Sequence, residues 1–267
     1  MSYPAVIQSD SPEWYARLDD LSGTTVTALV GGNGTYFNAP TLGVTGCTND
    51  GDTAVRIASA STQSFNFPNS SFADVFTLEC WIKRTTLNAT QNALMFIPGN
   101  GSYMRIGAGD GIEILQAGGV TLATSTTTIT NTTTFHHIVW TKNGATSHIY
   151  IDATDVTGTV TNHTFSHISG AVSICGTTDV SAEKANCTFD EVATYTTALS
   201  AARVAAHFAA AAASGGPARK SSPGQLVSAL AHARVEERKS QRGEGGGSST
   251  QSSHRSRLDY LRRKERG

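Results

Sequence analysis

The sequence predicts an all-β protein, a two-sheet antiparallel sandwich with one short closing helix and a basic tail. Up to about residue 198, Gly, Asn and Thr punctuate short runs in which apolar and polar residues alternate, as they do in strands with one buried face. The last run, Cys187 to Tyr195, leads into a segment with the signals of a helix start. The residues that follow differ in pattern and in charge. We therefore expect a β-sandwich at residues 1–213 and an anchoring segment at residues 214–267.

The two segments carry opposite net charges. Residues 1–213 contain 16 acidic and 8 basic side chains, a net charge of −8, and residues 214–267 contain 12 basic and 5 acidic ones, a net charge of +7. A basic segment on an acidic domain is typical of a region that meets a partner. Acidic residues such as Glu236, Glu237 and Asp259 interrupt the basic ones. Nucleic-acid phosphates are neutralised by Lys and Arg, and acidic residues among them oppose this binding. The mixture of charges therefore favours a protein partner over nucleic acid.

Composition also predicts where the protein resides. No run of 18 apolar residues occurs, so membrane insertion is not expected. The first residues have neither a basic nor an apolar signal-peptide region, so Sec-dependent secretion is not expected either.

The four cysteines are far apart and form no CxxC pair, which argues against a zinc site. We expect four reduced, buried thiols; a Cys175–Cys187 bridge between neighbouring terminal strands is the alternative.

Two segments show the strand pattern most clearly. The run from Phe76 to Ile82 places Phe76, Leu78, Cys80 and Ile82 on one face of a strand. Residues 135–140 and 148–152 form a predicted hairpin that turns around Lys142-Asn143-Gly144, because Asn and Gly both tolerate positive φ.

The closing helix is predicted from its cap. Ser200 is a suitable N-cap, and Leu199 and Val204 have the spacing of a hydrophobic staple. Val204 and Phe208 share a face, which we expect to cover one edge of the sandwich. The alanine run extends this helix until residues 214–217 end it.

The tail has three predicted parts. Residues 225–239 are helix-forming, residues 243–253 are a flexible Gly/Ser linker, and residues 256–264 are a short basic helix candidate. Helices this short become ordered only against another surface. The candidate anchoring residues are Leu226, Leu230, Arg257, Leu258, Tyr260, Leu261, Arg262 and Arg263.

Six segments in order resemble the laminin G-like (concanavalin A-like) jelly-roll family. The similarity covers about residues 13–210. It implies a jelly-roll domain with a binding or structural role and no catalytic one. Such domains are found in minor tail and virion-surface proteins of tailed bacteriophages. The matching segments are Trp14–Thr25, Gly51–Val55, Phe76–Trp81, Phe135–Val139, Tyr150–Asp152 and Cys187–Arg203.

The resemblance also implies a structural calcium ion between the opening turn and the terminal acid pair. Asp19 or Asp20 and Asp190 would supply carboxylates, and backbone carbonyls near residues 31–34 the remaining oxygens. The acid that the family often carries after its opening turn is missing here. The alternative is that Asp190 only binds backbone amides of a turn.

The acidic residues and histidines do not form a recognisable catalytic or metal motif. Jelly-roll glycosidases need two carboxylates that face each other across a sugar. Glu79 and Glu113 are isolated in sequence, and the adjacent Asp190 and Glu191 should point to opposite faces of a strand. The same alternation prevents His136 and His137 from sharing a metal ion. We therefore expect no enzymatic activity.

Three aromatic residues are candidates for contact with a ligand. Tyr103 lies in a Gly-rich stretch and is of the type that stacks on a sugar, and Tyr36 and Trp140 are further candidates. Packing in or near the core is the alternative for each.

The first functional hypothesis is a bacteriophage virion protein, exposed on the particle surface and made in the host cytoplasm without a signal peptide. Its domain would adhere to a host-surface polysaccharide, and its tail would bind capsid or tail proteins, with homo-oligomers allowed. The alternatives are a bacterial carbohydrate-binding module and a structural capsid cement without a ligand.

Overall fold

The computed structural model describes residues 2–48, 50–58, 62–87, 92–96, 102–116, 119–165, 168–175 and 185–213. The chain divides into two compact units, Met1–Lys220 and Ser221–Gly267, and the second unit lies outside the described residues. The predicted boundary between residues 213 and 214 stays a prediction.

The helices are α1 (Tyr3–Gln8) and α2 (Ala201–Ala213). The strands are β1 (Trp14–Ala16), β2 (Thr25–Val26), β3 (Gly34–Phe37), β4 (Thr41–Thr45), β5 (Thr53–Ile57), β6 (Ser64–Phe72), β7 (Val75–Arg84), β8 (Asn92–Phe96), β9 (Tyr103–Ile106), β10 (Gly111–Gln116), β11 (Val120–Thr128), β12 (His136–Asn143), β13 (Thr146–Ile151), β14 (Thr154–Asp155), β15 (Thr157–Val160), β16 (Ile168–Ile174) and β17 (Cys187–Tyr195).

These strands form two antiparallel sheets, which confirms the predicted sandwich. Sheet A has eight strands in the order β14-β13-β12-β7-β17-β5-β4, with β1 paired to β17. Sheet B has nine strands in the order β15-β11-β10-β9-β8-β16-β6-β3-β2. Strands distant in sequence are neighbours in space, as in a jelly roll: β17 lies between β7 and β5 in the middle of sheet A.

The main core lies between the two sheets. Phe76, Leu78, Cys80 and Ile82 are fully buried in it, so the predicted face of β7 is confirmed. Aromatic rings from both sheets interlock there. The rings of Trp14 and Phe67 stack with centroids 3.9 Å apart, and Phe76 meets Trp140 edge-to-face at 4.8 Å.

The opposite face of sheet A is also buried, because α1 and α2 pack on it. Trp81 and Tyr195 alternate with the core residues of their strands and contact this second cluster, to which α1 contributes Ile7 and α2 contributes Val204. The closing helix therefore covers a sheet face and not an edge as predicted. Since sheet A is covered on both faces, its central strands are buried at nearly every position.

The predicted hairpin and helix cap are both present. Asn143 is the last residue of β12 and pairs with Thr146, so the two-residue turn is Gly144-Ala145, one residue later than the predicted Asn-Gly pair; Gly144 has φ of 57°. At the start of α2, the Ser200 Oγ accepts a hydrogen bond from the Arg203 backbone N–H at 3.3 Å. The side-chain oxygen thus satisfies one of the free amides of the first helical turn.

All four cysteines are free and buried, so the Cys175–Cys187 bridge is not formed. In the part of the chain that the structure describes, neither helix has the length and apolar character needed to cross a membrane.

Candidate functional site

The terminal acid pair of β17 lies at the centre of a buried polar cluster. Asp190 and Glu191 are 0% and 1% exposed. The prediction that they point to opposite faces is wrong, because both take part in one network. The register of β17 against β7 shifts between Asp190 and Ala193, and Glu191 has φ of 47°. This β-bulge breaks the regular alternation and turns neighbouring side chains toward the same group of residues.

Arg17 is the cation of this cluster. Its Nε donates to Glu191 Oε1 at 3.0 Å, and its Nη2 lies 3.1 Å from both Asp50 Oδ1 and Asp52 Oδ1. The Tyr15 hydroxyl donates to the other Glu191 oxygen. Burial alone would lower the pKa of Arg17, but the carboxylates around it raise the pKa, so the guanidinium is charged.

The three buried acids exceed the positive charge available to them. Burial raises the pKa of Asp52 to about 6, against the opposing effect of Arg17. Burial, with Asp52 and Glu191 nearby, raises the pKa of Asp190 well above its ordinary value. Like-charged carboxylates that share a site hold a proton between them. Protons shared among the three acids therefore reduce the negative charge that Arg17 alone does not neutralise.

The cluster does not fit the calcium site that the sequence predicts. Among the described residues, ligand atoms of Cys47, Asp52 and Asp190 lie within 4.8 Å of one another. A thiol is not a calcium ligand, and calcium takes six to eight oxygens. The Asp190 oxygens already accept hydrogen bonds from the backbone N–H groups of Cys47, at 2.6 Å, and Glu191, at 3.0 Å. This is the amide-binding arrangement considered as the alternative.

Asp19 and Asp20, the predicted calcium ligands from the opening turn, are not part of the Asp190 cluster. Asp19 is exposed. Asp20 Oδ2 accepts hydrogen bonds from the Tyr36 hydroxyl and the Thr27 backbone N–H, each at 3.0 Å. The residues that do surround the acid pair, among them Arg17 and Asp52, lie in segments that resemble the family, but no site role was predicted for them. Asp52 stands two residues from Asp50 in a turn, and such a spacing gives no signal of a contact with β17.

The histidine pair behaves as the alternation predicts. His137 Nε2 lies 2.7 Å from Glu79 Oε1, and His136 Nδ1 lies 2.9 Å from Asp152 Oδ2. Each ring thus has its own carboxylate partner.

Two of the three aromatic ligand candidates are core residues, which is the alternative given for them. Trp140 and Tyr36 are 1% and 3% exposed and belong to the core between the sheets. Trp140 Nε1 donates to Ser147 Oγ at 2.9 Å. Neither ring offers a free face to a sugar.

Tyr103 has a different position, on the face of sheet B that points away from the core. Its neighbour Met104 is in the core, so Tyr103 and Arg105 must project to the other side. Tyr103 is nonetheless 6% exposed and Leu115, which pairs with it across β10, is 1% exposed. The guanidinium of Arg105 lies 5.9 Å from the Tyr103 ring centre, within cation–π range.

A polar row crosses this outer face beside Tyr103. Arg105 pairs with Glu113, and Glu113 pairs with Thr124, so one residue from each of β9, β10 and β11 lies side by side. Arg105 Nε donates to Glu113 Oε2 at 2.7 Å, and Thr124 is exposed. Gly107 leaves room for this carboxylate, since a Cβ on it would lie 2.2 Å from Glu113 Oε1. We call Arg105, Glu113 and Thr124 the sheet B polar row.

Sequence reasoning treated Glu113 as isolated and missed Arg105. The signal that could have joined them is the turn at residues 107–110, Gly-Ala-Gly-Asp, between two alternating runs. Such a hairpin places residues 105 and 113 opposite each other.

The predicted anchoring residues, Leu226, Leu230, Arg257, Leu258, Tyr260, Leu261, Arg262 and Arg263, lie outside the described residues.

The sequence profile of the concanavalin A-like lectin/glucanases superfamily matches residues 50–205, more than half of the chain. The chain belongs to this superfamily. The match includes β7, β12 and β17, the central strands of sheet A, and also the sheet B polar row. None of the curated proteins matches the chain significantly.

Several solved structures share the fold at low sequence identity. Trypanosoma rangeli sialidase is 12% identical with a TM-score of 0.53, over 73% of this chain and 32% of the sialidase. The binding domain of Paraclostridial Mosquitocidal Protein 1 is 15% identical, with a TM-score of 0.55, over 74% of this chain and 52% of that domain. Domain 4 of a GH43 extracellular arabinanase from Geobacillus stearothermophilus, solved with arabinotriose, is 15% identical with a TM-score of 0.50, over 73% of this chain and 97% of that domain. This chain spans about a third of the length of the sialidase.

Proposed function

We propose that this chain is a non-catalytic adhesion protein of a bacteriophage particle. Residues 1–213 would bind a host-surface glycan, and residues 214–267 would attach the domain to capsid or tail proteins. The observation that carries the binding part is the sheet B polar row beside Tyr103. It supplies charged donors and acceptors on the outer face of a concanavalin A-like sandwich.

The outer faces of the two sheets differ in how far their side chains are exposed to solvent. On sheet A, α1 and α2 bury the outward residues, including Trp81 at 5% exposed. On sheet B, the side chain of Glu113 is 22% exposed and that of Arg105 is 10% exposed, next to the exposed Thr124. Guanidinium, carboxylate and hydroxyl groups together can donate to and accept from sugar hydroxyls. The row therefore suits a hydroxyl-rich ligand.

The arrangement of the acids supports binding without catalysis. In the Arg17 cluster, the carboxyl groups of Asp52, Asp190 and Glu191 are at most 8% exposed. A glycosidase needs its two carboxyl groups on either side of a bound sugar. The buried acids instead hold β17, β1 and the turn before β5 together.

Binding is tested with immobilised host-surface polysaccharides and a substitution in the polar row. In Thr124→Trp, a bulky ring covers the row without entering the core. Thr45→Trp, at an exposed threonine of β4 in sheet A, is the matched control. We expect the wild type and Thr45→Trp to bind equally and Thr124→Trp to bind at least tenfold more weakly. Equal binding by all three proteins would place the ligand elsewhere.

Attachment is tested on the full-length chain with particles that lack it. Arg257, Arg262 and Arg263 are replaced together by Gln, which removes three positive charges from the tail. We expect the wild type to co-sediment with particles and the triple variant to remain in solution. If neither protein associates but both bind polysaccharide, the bacterial carbohydrate-binding module is the better assignment. If the wild type associates and no glycan binds, the protein is a capsid cement.

A further inference from the structure

Glu79 is a fully buried acid at the centre of sheet A. It lies on the face that α1 and α2 cover, and it accepts from groups on both helices and two strands. The Tyr3 hydroxyl donates to Oε1 at 3.3 Å and the Tyr195 hydroxyl to Oε2 at 3.1 Å. The ring nitrogens His137 Nε2 and His207 Nδ1 lie 2.7 Å and 2.9 Å from its oxygens.

His207, on α2, lies between two carboxylates. Its Nδ1 faces Glu79 Oε2 at 2.9 Å, and its Nε2 faces Asp10 Oδ2 at 2.6 Å. The ring is 0% exposed. A neutral imidazole has one N–H and one lone pair, so it can donate to only one of these carboxylates. The imidazolium form donates to both.

The surrounding charges balance only with that proton in place. Glu79 and Asp10 contribute two negative charges, and Arg203 contributes one positive charge through its Nη2, 2.7 Å from Asp10 Oδ2. His137 donates through Nε2, and its Nδ1 is buried with no hydrogen-bond partner among the described residues. A second proton on His137 would therefore lack an acceptor. The missing positive charge belongs on His207.

We propose that His207 is a buried imidazolium and that Glu79, His207 and Asp10 form a proton-dependent latch that holds α2 on sheet A. Loss of the proton leaves one carboxylate facing a lone pair in a buried site, which is unfavourable. The latch joins three separate parts of the chain, namely β7, α2 and the segment after α1. Its opening would loosen α2 from the sandwich while the core between the sheets stays intact.

The sign of the pH dependence follows from the charges. Burial by itself lowers the pKa of His207, but Glu79 and Asp10 outweigh it and raise the pKa above its ordinary value. Burial raises the pKa of Glu79, and His207 and His137 outweigh that effect and hold the pKa far below its usual range. The His207 contribution is complete below about pH 6.5 and is lost as pH rises through the raised pKa. The Glu79 contribution is complete above about pH 4.3 and is lost only in strong acid. The latch is thus closed in mild acid and opens as the pH rises through the raised pKa of His207.

The latch would also affect the anchoring segment, because residue 214 follows directly after α2. This consequence rests on the proposed function, whereas the latch itself does not.

The direct test is a ¹⁵N NMR titration of the histidine side chains in the full-length protein. We expect His207 to carry protons on both ring nitrogens at pH 7 and to lose one at higher pH. A neutral His207 ring at pH 7 would overturn the proposal. This measurement needs no substitution, so it decides the question even if a variant fails to fold.

Thermal melts between pH 6 and pH 9.5 give the second test. We expect the melting temperature of the wild type to fall across this range and that of His207→Gln to fall much less. His148→Gln is the matched control, since His148 also lies 2.8 Å from a carboxylate, Asp155, but with side chains 39% and 43% exposed. Equal slopes for the wild type and His207→Gln would also overturn the latch. Polysaccharide binding, measured in parallel at pH 6, reports on the proposed function separately.

Discussion

Replacing Glu79 by Gln removes one negative charge from the most enclosed polar site that we describe. The substitution keeps the shape of the side chain but turns one acceptor oxygen into an NH₂ group. That group then faces ring or hydroxyl donors of His137, His207, Tyr3 or Tyr195, which lie 2.7–3.3 Å from the Glu79 oxygens. Breaking a buried ion pair from one side costs about 3–5 kcal/mol. We expect a loss of that size in the free energy of unfolding.

The assay is urea-induced unfolding at pH 6, where the latch is complete, together with thermal melts. A loss of about 3–5 kcal/mol corresponds to a fall in melting temperature of roughly 6–20 °C for a domain of this size. Glu113→Gln is the control, because its ion pair with Arg105 is partly exposed and should contribute about 1 kcal/mol or less. If Glu79→Gln costs no more than Glu113→Gln, the reasoning about the buried acid is refuted.

Three further substitutions and one condition test the rest of the structure. Gly34→Ala should lower the free energy of unfolding in urea by about 2 kcal/mol or more, since its Cβ would lie 2.0 Å from the Asn66 carbonyl oxygen across the β3–β6 pair. If the Gly34→Ala variant is as stable as the wild type, β3 and β6 can move apart without cost. Trp140→Ala should cost about 3–5 kcal/mol in the same assay because the ring fills the core, and a cost below 1 kcal/mol would mean that the ring is not packed as described. Arg17→Gln should cost about 3–5 kcal/mol, because it leaves buried acids without their cation. Addition of calcium or of a chelator should leave the wild-type melting temperature unchanged, and a rise of several degrees with calcium would contradict our account of the Asp190 cluster.

Local sequence signals predicted the elements that depend on local chemistry. The Gly144 turn follows from backbone conformations that few residues tolerate, and the Ser200 cap follows from one oxygen and one amide three residues apart. The buried face of β7 follows from alternation. Each of these features is determined within about ten residues, so a pattern in the sequence suffices.

Features that depend on distant contacts could not be found in this way. Glu79 and His207 are 128 residues apart, and nothing near either residue indicates the other. Core packing and ligand contact both remained open for Trp140 and Tyr36, because an aromatic residue among polar ones has the same local sequence whether its ring faces solvent or a second layer. In β12 nearly every position is buried, since helices cover the far side of its sheet, and alternation then no longer separates inside from outside. The bulge after Asp190 likewise reverses a rule that holds for regular strands.

The ion pair between Asp10 and Arg203 joins the segment after α1 to the first turn of α2, so the first and the last helix of the described domain are neighbours on sheet A. A fold whose first and last elements are neighbours can be spliced into a surface loop of another protein with little distortion of either partner. The domain is therefore suited to exchange between proteins as a unit.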